Sequence, residues 1–384
     1  MLFRSLWFSE RDGFNHLYHY GKNGGLKKQL TSGEFEVLNY HGAIDGEAII
    51  EITDGLMDEA IAKVSIESGK MKKITDEPGT YSAEVNESAD LILLRHRSMT
   101  IPNNVKIINS KGKRVLNLIE AEDPLSEYQM GDIELPVIEA EDGTKLQTRI
   151  IKPHNFDPEK KYPALVYVYG GPHVQLIRNN RTAGASLWMF HAANRGYVVF
   201  TIDGRGSSHR GLEFEQATFR QLGTAEMEDQ LAGVEYLKTL PYVDSEKMAI
   251  HGWSFGGFMT TSLMLRHPGV FDVGVAGGPV TDWRLYEVMY TERYMDTPEE
   301  NPEGYEGADL KNYVDRLEGD LLLIHGLDDD VVVPQHSYTL LEAFVDAAVQ
   351  VDFFVYPGHP HNVRGKDRIH LMTKVLNYID FHLN

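Results

Sequence analysis

The segment KMAIHGWSFGGFMTTSLML, residues 247–265, decides the fold of the later part of the chain. An apolar run typical of a strand leads into GWSFG (252–256), and a helical pattern follows directly. A G-x-S-x-G pentapeptide is common by chance, but between a strand and a helix it is typical of a nucleophile elbow. Such a turn lifts the serine hydroxyl out of the sheet, and the helix N-terminus behind it favours developing negative charge. The segment therefore predicts Ser254 as a catalytic nucleophile.

Strand-like and helical patterns alternate on both sides of this segment. The strand-like runs lie at 164–170, 197–203, 247–253, 320–326 and 351–358, and the helical patterns at 224–240, 255–267, 336–348 and 368–383. Apolar strands that alternate with amphipathic helices predict an α/β fold, with a parallel sheet covered on both faces. Sites in such sheets lie at the carboxyl ends of the strands.

Two loops downstream of Ser254 carry candidates for the other catalytic groups. A serine needs a histidine to take its proton and a carboxylate to orient that histidine, in the chain order serine, acid, histidine. HGLDDDVVVP (325–334) and YPGHPHNVRG (356–365) each follow a predicted strand. The candidate acids are Asp328, Asp329 and Asp330, and the candidate bases are His359 and His361.

These loops also admit simpler interpretations. The three aspartates could form a solvated acidic loop or a cation site, although no other oxygen ligands accompany them at a suitable spacing. The two histidines could bind a metal, although no third ligand is evident. His325, which precedes Gly326, is interpreted as a structural residue at a strand end.

The first 120 residues contain a weak repeat. HLYHYGKNGGLKKQLT (16–31), IAKVSIESGKMKKIT (61–75) and VKIINSKGKRVLNL (105–118) each join two alternating runs through a polar glycine turn. The pattern predicts β-hairpins, and a period in the forties matches one β-propeller blade. Three repeats do not close a ring, since propellers usually need at least about four blades. We therefore expect a partial, propeller-derived antiparallel domain at 1–125 and a catalytic domain at 126–384.

Composition excludes several functional classes. The formal net charge of −20 argues against a nucleic-acid partner, which needs a basic surface. The absence of cysteine excludes disulfides, thiolate metal sites and a cysteine nucleophile. No apolar run is long enough to predict a membrane span, and the start MLFRSLWFSERDG does not read as a signal peptide. We expect a chain that stays in the cytoplasm or has lost its natural N-terminus.

Five motifs in order carry a family resemblance from about residue 130 to the end. They are VYGGP (168–172), IDGRGSSHRG (202–211), GTAEMEDQ (223–230), GWSFGG (252–257) and the HG-x-x-D loop (325–329). Together they resemble the prolyl oligopeptidase family, in particular its dipeptidyl peptidase IV branch and the bacterial prolyl tripeptidyl aminopeptidases. Residues 1–125 are similar to the last propeller blades of that family. The resemblance implies an α/β-hydrolase domain behind the partial β-domain.

The resemblance also resolves the candidate roles. The family's acid, four residues after the histidine of the HG motif, falls on Asp329, and its base falls on His361. It implies that the Tyr169 hydroxyl and the backbone N–H of Phe255 form the oxyanion hole. Neither a cofactor nor a metal is implied.

The resemblance further implies how substrate is bound. The aromatic loop at 277–295 matches the family's proline pocket, a slot that suits the flat proline ring. Glu287 falls where the tripeptidyl enzymes bind the free amino terminus of the substrate. The matching pocket residues are Val280, Trp283, Tyr286 and Tyr290, with Val332 and Phe255 completing the wall.

The implied reaction is the release of N-terminal di- or tripeptides after proline, through an acyl-enzyme. Two departures bear on this: the family's paired glutamates of the propeller have no counterpart here, and Val331 stands where the branch often has asparagine. The alternatives are an esterase or acylaminoacyl peptidase on the same scaffold, or an inactive truncated or engineered fragment. The expected partner is a proline-containing peptide. Homodimers and a periplasmic or cell-surface location are what the family resemblance implies.

Overall fold

A computed structural model of the chain describes residues 5–86, 88 and 90–383. Residues 1–4, 87 and 89 of the predicted first domain, and residue 384 of the second, lie outside the described residues. The chain divides into two compact units. The first runs to Gln129 and also includes Ile177–Ala185 and Ser208–Glu215, two segments that the single boundary predicted from the sequence leaves in the catalytic domain. The remaining residues form the second unit.

The described part of the first unit contains three antiparallel sheets of three, four and four strands. In each sheet, neighbouring strands follow one another in the chain, as in β-propeller blades. The first sheet contains β1 (Ser5–Ser9), β2 (His16–Tyr20) and β3 (Leu26–Gln29). The second contains β4 (Val37–Ile44), β5 (Glu47–Thr53), β6 (Glu59–Ser65) and β7 (Met71–Lys73). The third contains β8 (Thr80–Asn86), β9 (Leu91–Arg97), β10 (Asn104–Asn109) and β11 (Arg114–Glu120).

The sequence repeat corresponds to the last hairpin of each sheet: β2–β3, β6–β7 and β10–β11. Thr31 Oγ1 accepts the N–H of Leu17 at 2.9 Å, and Thr75 Oγ1 accepts the N–H of Ile61 at 3.0 Å. The shared threonine thus closes equivalent hairpins in the first two sheets. The predicted propeller-like antiparallel domain is confirmed.

The middle sheet of this unit is apolar on both faces because another sheet covers each face. Ile50 and Val64 belong to a cluster with Leu17 of the first sheet. Ile49 and Ile61 pack in a second cluster that includes residues of the third sheet. Since successive strand residues point to opposite faces, all residues of β5 after Glu47 are buried, including Glu51.

The second unit is built on a nine-stranded mixed sheet. The strands run in the order β12-β14-β16-β15-β17-β18-β19-β20, with β13 also paired to β14. The sheet is parallel from β16 to β20, whereas β14 joins β16 antiparallel. The strands are β12 (Ile133–Glu134), β13 (Val137–Glu139), β14 (Lys145–Ile151), β15 (Tyr162–Val168), β16 (Val198–Asp203), β17 (Val243–Trp253), β18 (Val273–Gly277), β19 (Asp320–Gly326) and β20 (Asp352–Tyr356).

Helices connect the parallel strands of this sheet. The four helices predicted from the sequence are present as α3, α4, α7 and α8, so the predicted α/β-hydrolase fold is confirmed. No helix of the described residues is long and apolar enough to cross a membrane. The helices are α1 (Leu187–Asn194), α2 (Leu212–Glu215), α3 (Ala225–Thr239), α4 (Phe255–Arg266), α5 (Val288–Met295), α6 (Pro302–Ala308), α7 (Gln335–Asp346) and α8 (Asp367–Leu383). Of these, α2 belongs to the first unit.

Candidate active site

Ser254 lies in a strained turn between the end of β17 and the start of α4. Its φ of 62° and ψ of −120° place a non-glycine residue in the left-handed half of backbone space. Such strain costs about 1–3 kcal/mol and persists where the surrounding structure imposes it. The N–H of Ser254 donates to Gly277 O at 2.8 Å. A Cβ atom on Gly256 would lie 2.3 Å from Val168 O, so the glycine lets the helix approach the sheet.

Asp329 and His361 form a hydrogen-bonded pair. His361 Nδ1 donates to Asp329 Oδ2 at 2.7 Å. The other carboxylate oxygen, Oδ1, accepts the N–H groups of Val331 and Val332 at 3.0 and 2.9 Å. Burial alone would raise the pKa of Asp329, but hydrogen bonds from His325 and His361 outweigh it and hold the pKa well below its usual range. The carboxylate is therefore ionised at neutral pH.

Contacts with the elbow bring this pair to Ser254. The indole N–H of Trp253, the residue before Ser254, donates to His361 O at 2.8 Å. A Cβ atom on Gly278 would lie 3.3 Å from His361 Cε1 and 3.5 Å from Asp329 Oδ2. Gly278 directly follows Gly277, whose carbonyl oxygen accepts the N–H of Ser254. The structure thus groups the three predicted triad residues at the carboxyl ends of β17, β19 and β20.

The other candidates for acid and base lie elsewhere. His359 Nε2 pairs with Asp367 Oδ2 at 3.1 Å rather than with Asp329. Asp328 and Asp330 are exposed. Among the described residues, no group of three or more His, Cys, Asp or Glu side chains could hold a metal ion.

Tyr169 follows β15 directly and lies beside the elbow. Burial raises the pKa of its phenol to about 12, so the hydroxyl remains a hydrogen-bond donor at neutral pH. Its ring centroid is 6.1 Å from that of Phe255. A Cβ atom on Gly171 would lie 2.5 Å from the Tyr169 ring, which explains the glycine two residues later. Phe255 is the first residue of α4, where backbone N–H groups have no partner within the helix.

The predicted pocket residues form an aromatic cluster around Trp283, which is 1 % exposed. Trp283 stacks on Tyr290 with ring centroids 6.0 Å apart and stands perpendicular to Tyr286 at 5.7 Å. The Phe255 ring lies 5.5 Å from that of Trp283. Val280 and Val332 are also buried, and Val332 contacts Asp329 through its N–H. These aromatic rings can form the wall of a flat apolar slot.

Glu287 is exposed and precedes α5. Its Oε2 accepts the N–H of Met289 at 3.0 Å and thereby caps the helix. The sequence carries no signal for this capping contact.

Sequence reasoning also missed an extension of the cluster. The Tyr294 ring lies 4.7 Å from that of Tyr290 and 5.7 Å from that of His173, which has a φ of 61°. Tyr286, Tyr290 and Tyr294 are four residues apart. This is the spacing of one helix face and could have identified Tyr294.

Comparisons with known proteins agree with this architecture. The profile of the prolyl oligopeptidase family matches residues 184–384, and that of the dipeptidyl peptidase IV N-terminal region matches residues 3–103. Human dipeptidyl peptidase 8 is 31 % identical, over 97 % of this chain and 46 % of its own length.

Two solved structures are similar over nearly the whole chain. A candidate dipeptidyl aminopeptidase IV from Bacteroides ovatus has a TM-score of 0.95 and 45 % identity, over 99 % of this chain and 57 % of that one. Porphyromonas gingivalis dipeptidyl peptidase 4 has a TM-score of 0.93 and 32 % identity, over 98 % of this chain and 54 % of that one. The chain therefore spans about half the length of the relatives it matches. On the family profile, the matching fold and the geometry around Ser254, the chain belongs to the prolyl oligopeptidase family.

Proposed function

We propose that the chain is a serine peptidase that releases N-terminal dipeptides after proline. The observation that carries the proposal is the Asp329–His361 pair, 2.7 Å apart, next to a serine held in the strained elbow. A serine in a strained turn, a buried carboxylate and a histidine, in this chain order, are the parts of an acyl-transfer site. The relatives that match the chain are dipeptidyl peptidases, which favours dipeptides over tripeptides and disfavours an esterase or acylaminoacyl peptidase.

In the proposed mechanism, Ser254 Oγ attacks the carbonyl carbon of the scissile bond while His361 Nε2 takes its proton. Asp329 holds His361 Nδ1–H, so that Nε2 is the nitrogen free to accept. His361 then gives the proton to the leaving amine, and an ester remains on Ser254. His361 Nε2 next takes a proton from a water molecule as it attacks the ester carbonyl, and returns that proton to Ser254 Oγ as the C–O bond breaks and the peptide acid leaves.

The oxyanion of each tetrahedral intermediate would be bound by the Tyr169 hydroxyl and the Phe255 N–H. Its raised pKa keeps Tyr169 protonated, so it can donate to a negative oxygen without losing its own proton. Removing one such donor typically costs about 3–4 kcal/mol of transition-state stabilisation.

Proline preference is proposed from the aromatic cluster. The rings of Phe255, Trp283, Tyr286 and Tyr290 pack against one another at centroid distances of 5.2–6.0 Å and would form one wall of an apolar slot beside the elbow. A proline ring can lie in such a slot, whereas a charged side chain would lose its hydration there. The exposed carboxylate of Glu287 would pair with the ammonium group of the substrate.

A homodimer through the catalytic unit is also proposed. The outer surface of α8 exposes Ile369 and Phe381, which are 72 % and 78 % accessible. Burial of these two side chains in an interface would stabilise a dimer through the apolar surface removed from water. Phe381→Glu should convert a dimer to a monomer in light scattering after size exclusion, and a native chain that is monomeric at all concentrations contradicts this proposal.

Product analysis tests the proposed function as a whole. Peptides of sequence Ala-Pro-Xaa and Ala-Ala-Pro-Xaa would be incubated with the chain and the products identified by mass spectrometry. We expect release of Ala-Pro from the first and little cleavage of the second. Release of Ala-Ala-Pro would establish tripeptide release instead, and faster cleavage of N-acetylated peptides would support the acylaminoacyl alternative.

A further inference from the structure

His325, at the end of β19, has a fully determined hydrogen-bonding pattern. Its ring is 1 % exposed, with Nε2 2.7 Å from Val332 O and Nδ1 2.7 Å from the Ser337 hydroxyl. A carbonyl oxygen only accepts hydrogen bonds, so Nε2 carries a hydrogen. In the neutral ring Nδ1 is then the acceptor, and the Ser337 hydroxyl donates to it.

The same Nε2–H also faces the acid of the predicted triad. It lies 3.4 Å from Asp329 Oδ2, the oxygen that binds His361. Oδ1 of Asp329 accepts the N–H groups of Val331 and Val332, and the carbonyl of Val332 is held by His325. The carboxylate of Asp329 and the carbonyl of Val332 are thus both fixed by hydrogen bonds. The carboxylate cannot rotate unless one of these contacts breaks.

The first turn of α7 extends this network towards the aromatic cluster. Next to Ser337, His336 Nδ1 accepts the N–H of Thr281 at 3.2 Å, and the Thr281 hydroxyl donates to His336 O at 2.8 Å. The His336 ring lies 6.4 Å from that of Tyr286. Adjacent residues of one helix therefore hold the acid turn and the pocket loop.

We infer that His325 is a positioning residue that sets the orientation of Asp329 and the place of Val332 together through its Nε2–H. The inference rests on the proposed function, in which Asp329 orients the base and Val332 completes the pocket. If the His325 Nε2–H positions both Asp329 and Val332, its loss should change two quantities that can be measured separately. One is the rate of the acyl-transfer step, and the other is the discrimination between proline and alanine before the cleaved bond.

Two substitutions separate positioning from packing. The amide of His325→Gln reaches the place of Nε2 and can still donate to Val332 O, whereas that of His325→Asn reaches only the place of Nδ1. We expect His325→Asn to lower kcat/KM on Ala-Pro-nitroanilide by about 10²-fold, the loss that a misplacement of about 1 Å can cause. It should also lower the ratio of kcat/KM for Ala-Pro-nitroanilide to kcat/KM for Ala-Ala-nitroanilide. We expect His325→Gln to retain most of the native activity and most of this ratio.

A spectroscopic measurement makes the result independent of turnover. The short hydrogen bond from His361 Nδ1–H to Asp329 should give a low-field proton resonance in the native chain. We expect this resonance to shift or disappear in His325→Asn and to persist in His325→Gln. His336→Gln serves as the matched control: it should alter the Ala-Pro to Ala-Ala ratio but leave this resonance in place. A native chain that shows the resonance but cleaves no peptide would refute the proposed function. The role of His325 in positioning Asp329 would then still be tested by the resonance of the variants.

The inference is overturned if both His325 variants lose the same activity while the resonance and the substrate ratio stay as in the native chain. That outcome would give His325 a purely structural role. If His325→Asn does not fold, Ser337→Ala replaces it, because loss of the hydroxyl that donates to Nδ1 lets the ring turn its Nε2–H away from Val332 O. We then expect a shifted resonance and a fall in kcat of about tenfold, and unchanged values of both would equally overturn the inference.

Discussion

His361 Nδ1 donates to Asp329 Oδ2 over 2.7 Å, although 32 positions separate the two residues in the chain. The Asp329 side chain is inaccessible to solvent and that of His361 is 12 % exposed. Each residue follows a different strand of the parallel sheet, so the contact exists only because β19 and β20 are neighbours. The proposed chemistry therefore depends on the strand order of the sheet in the catalytic unit.

Asp329→Asn should abolish most activity while preserving the fold. An amide presents an N–H as well as a carbonyl and can hold His361 in the wrong tautomer, which in comparable triads lowers kcat by about 10⁴-fold. Steady-state kinetics on Ala-Pro-nitroanilide would measure the loss, with circular dichroism as the control for folding. Asp330→Asn, at an exposed neighbour, should retain native activity. A loss below tenfold for Asp329→Asn would remove this residue from the proposed triad.

Tyr169→Phe should lower kcat by about 10²–10³-fold, because it removes one of the two proposed oxyanion donors. In the native chain, burial raises the pKa of Tyr169 to about 12, so the donor form persists to alkaline pH. Activity should therefore show no loss from ionisation of this phenol up to about pH 10, the pKa of an unperturbed tyrosine. Steady-state kinetics of the native chain and of Tyr169→Phe from pH 7 to about 10.5 would test the loss of kcat and its pH dependence. A variant with native kcat would refute the oxyanion role.

The fold could be predicted from the sequence where a periodic pattern was strong. The glycine-marked hairpins at 16–31, 61–75 and 105–118 and the elbow at 247–265 each carry their own local signal. Strand β18, VGVAG at 273–277, was not predicted because it is short and contains two glycines. The structure explains its composition: a Cβ atom on Gly274 would lie 2.8 Å from Met264 Cγ. Close packing of α4 on the sheet, rather than strand propensity, selects these residues.

The candidate site, like the fold, could be predicted from the sequence only in part. The residue types and their order predicted Ser254 and the two loops that carry its partners, and the family resemblance assigned Asp329 and His361 within them. The structure brings the Asp329–His361 pair to the elbow. Sequence alone left Asp328, Asp330 and His359 as further candidates, because neighbouring loop residues differ only in where their side chains point. The network from His325 to Ser337 and Val332 leaves no sequence signal, since its contacts depend on how the acid turn folds back on α7.

Glu287→Gln should weaken binding of substrates with a free amino terminus. The substitution removes the negative charge but leaves an amide oxygen that can still cap α5 at the Met289 N–H. We expect KM for Ala-Pro-nitroanilide to rise about tenfold, as for loss of a charge-assisted hydrogen bond, with little change in kcat. The N-acetylated substrate provides the comparison, since it has no ammonium group and its kinetics should not respond. Equal effects on both substrates would mean that Glu287 acts only as a helix cap.

Gly256→Ala should destabilise the catalytic unit and reduce activity. The added Cβ atom would lie 2.3 Å from Val168 O, so either the helix or the strand must move. Overpacking of this kind typically costs about 1–3 kcal/mol. Gly307→Ala in α6 is the matched control, because a Cβ atom there meets nothing within 4 Å. Differential scanning calorimetry should show a lower Tm for Gly256→Ala only, and equal Tm values for the two variants would contradict the close approach at the elbow.

The most direct test of the account is whether Ser254 forms a covalent bond with an active-site probe. A fluorophosphonate reacts only with a serine whose hydroxyl is activated, and its adduct is measured by intact mass and located by peptide mapping. We predict one adduct per chain, on Ser254, which is lost in Ser254→Ala and strongly slowed in Asp329→Asn. Absence of labelling in the folded native chain, or labelling that persists in Ser254→Ala, would contradict the claim that this elbow is the catalytic site.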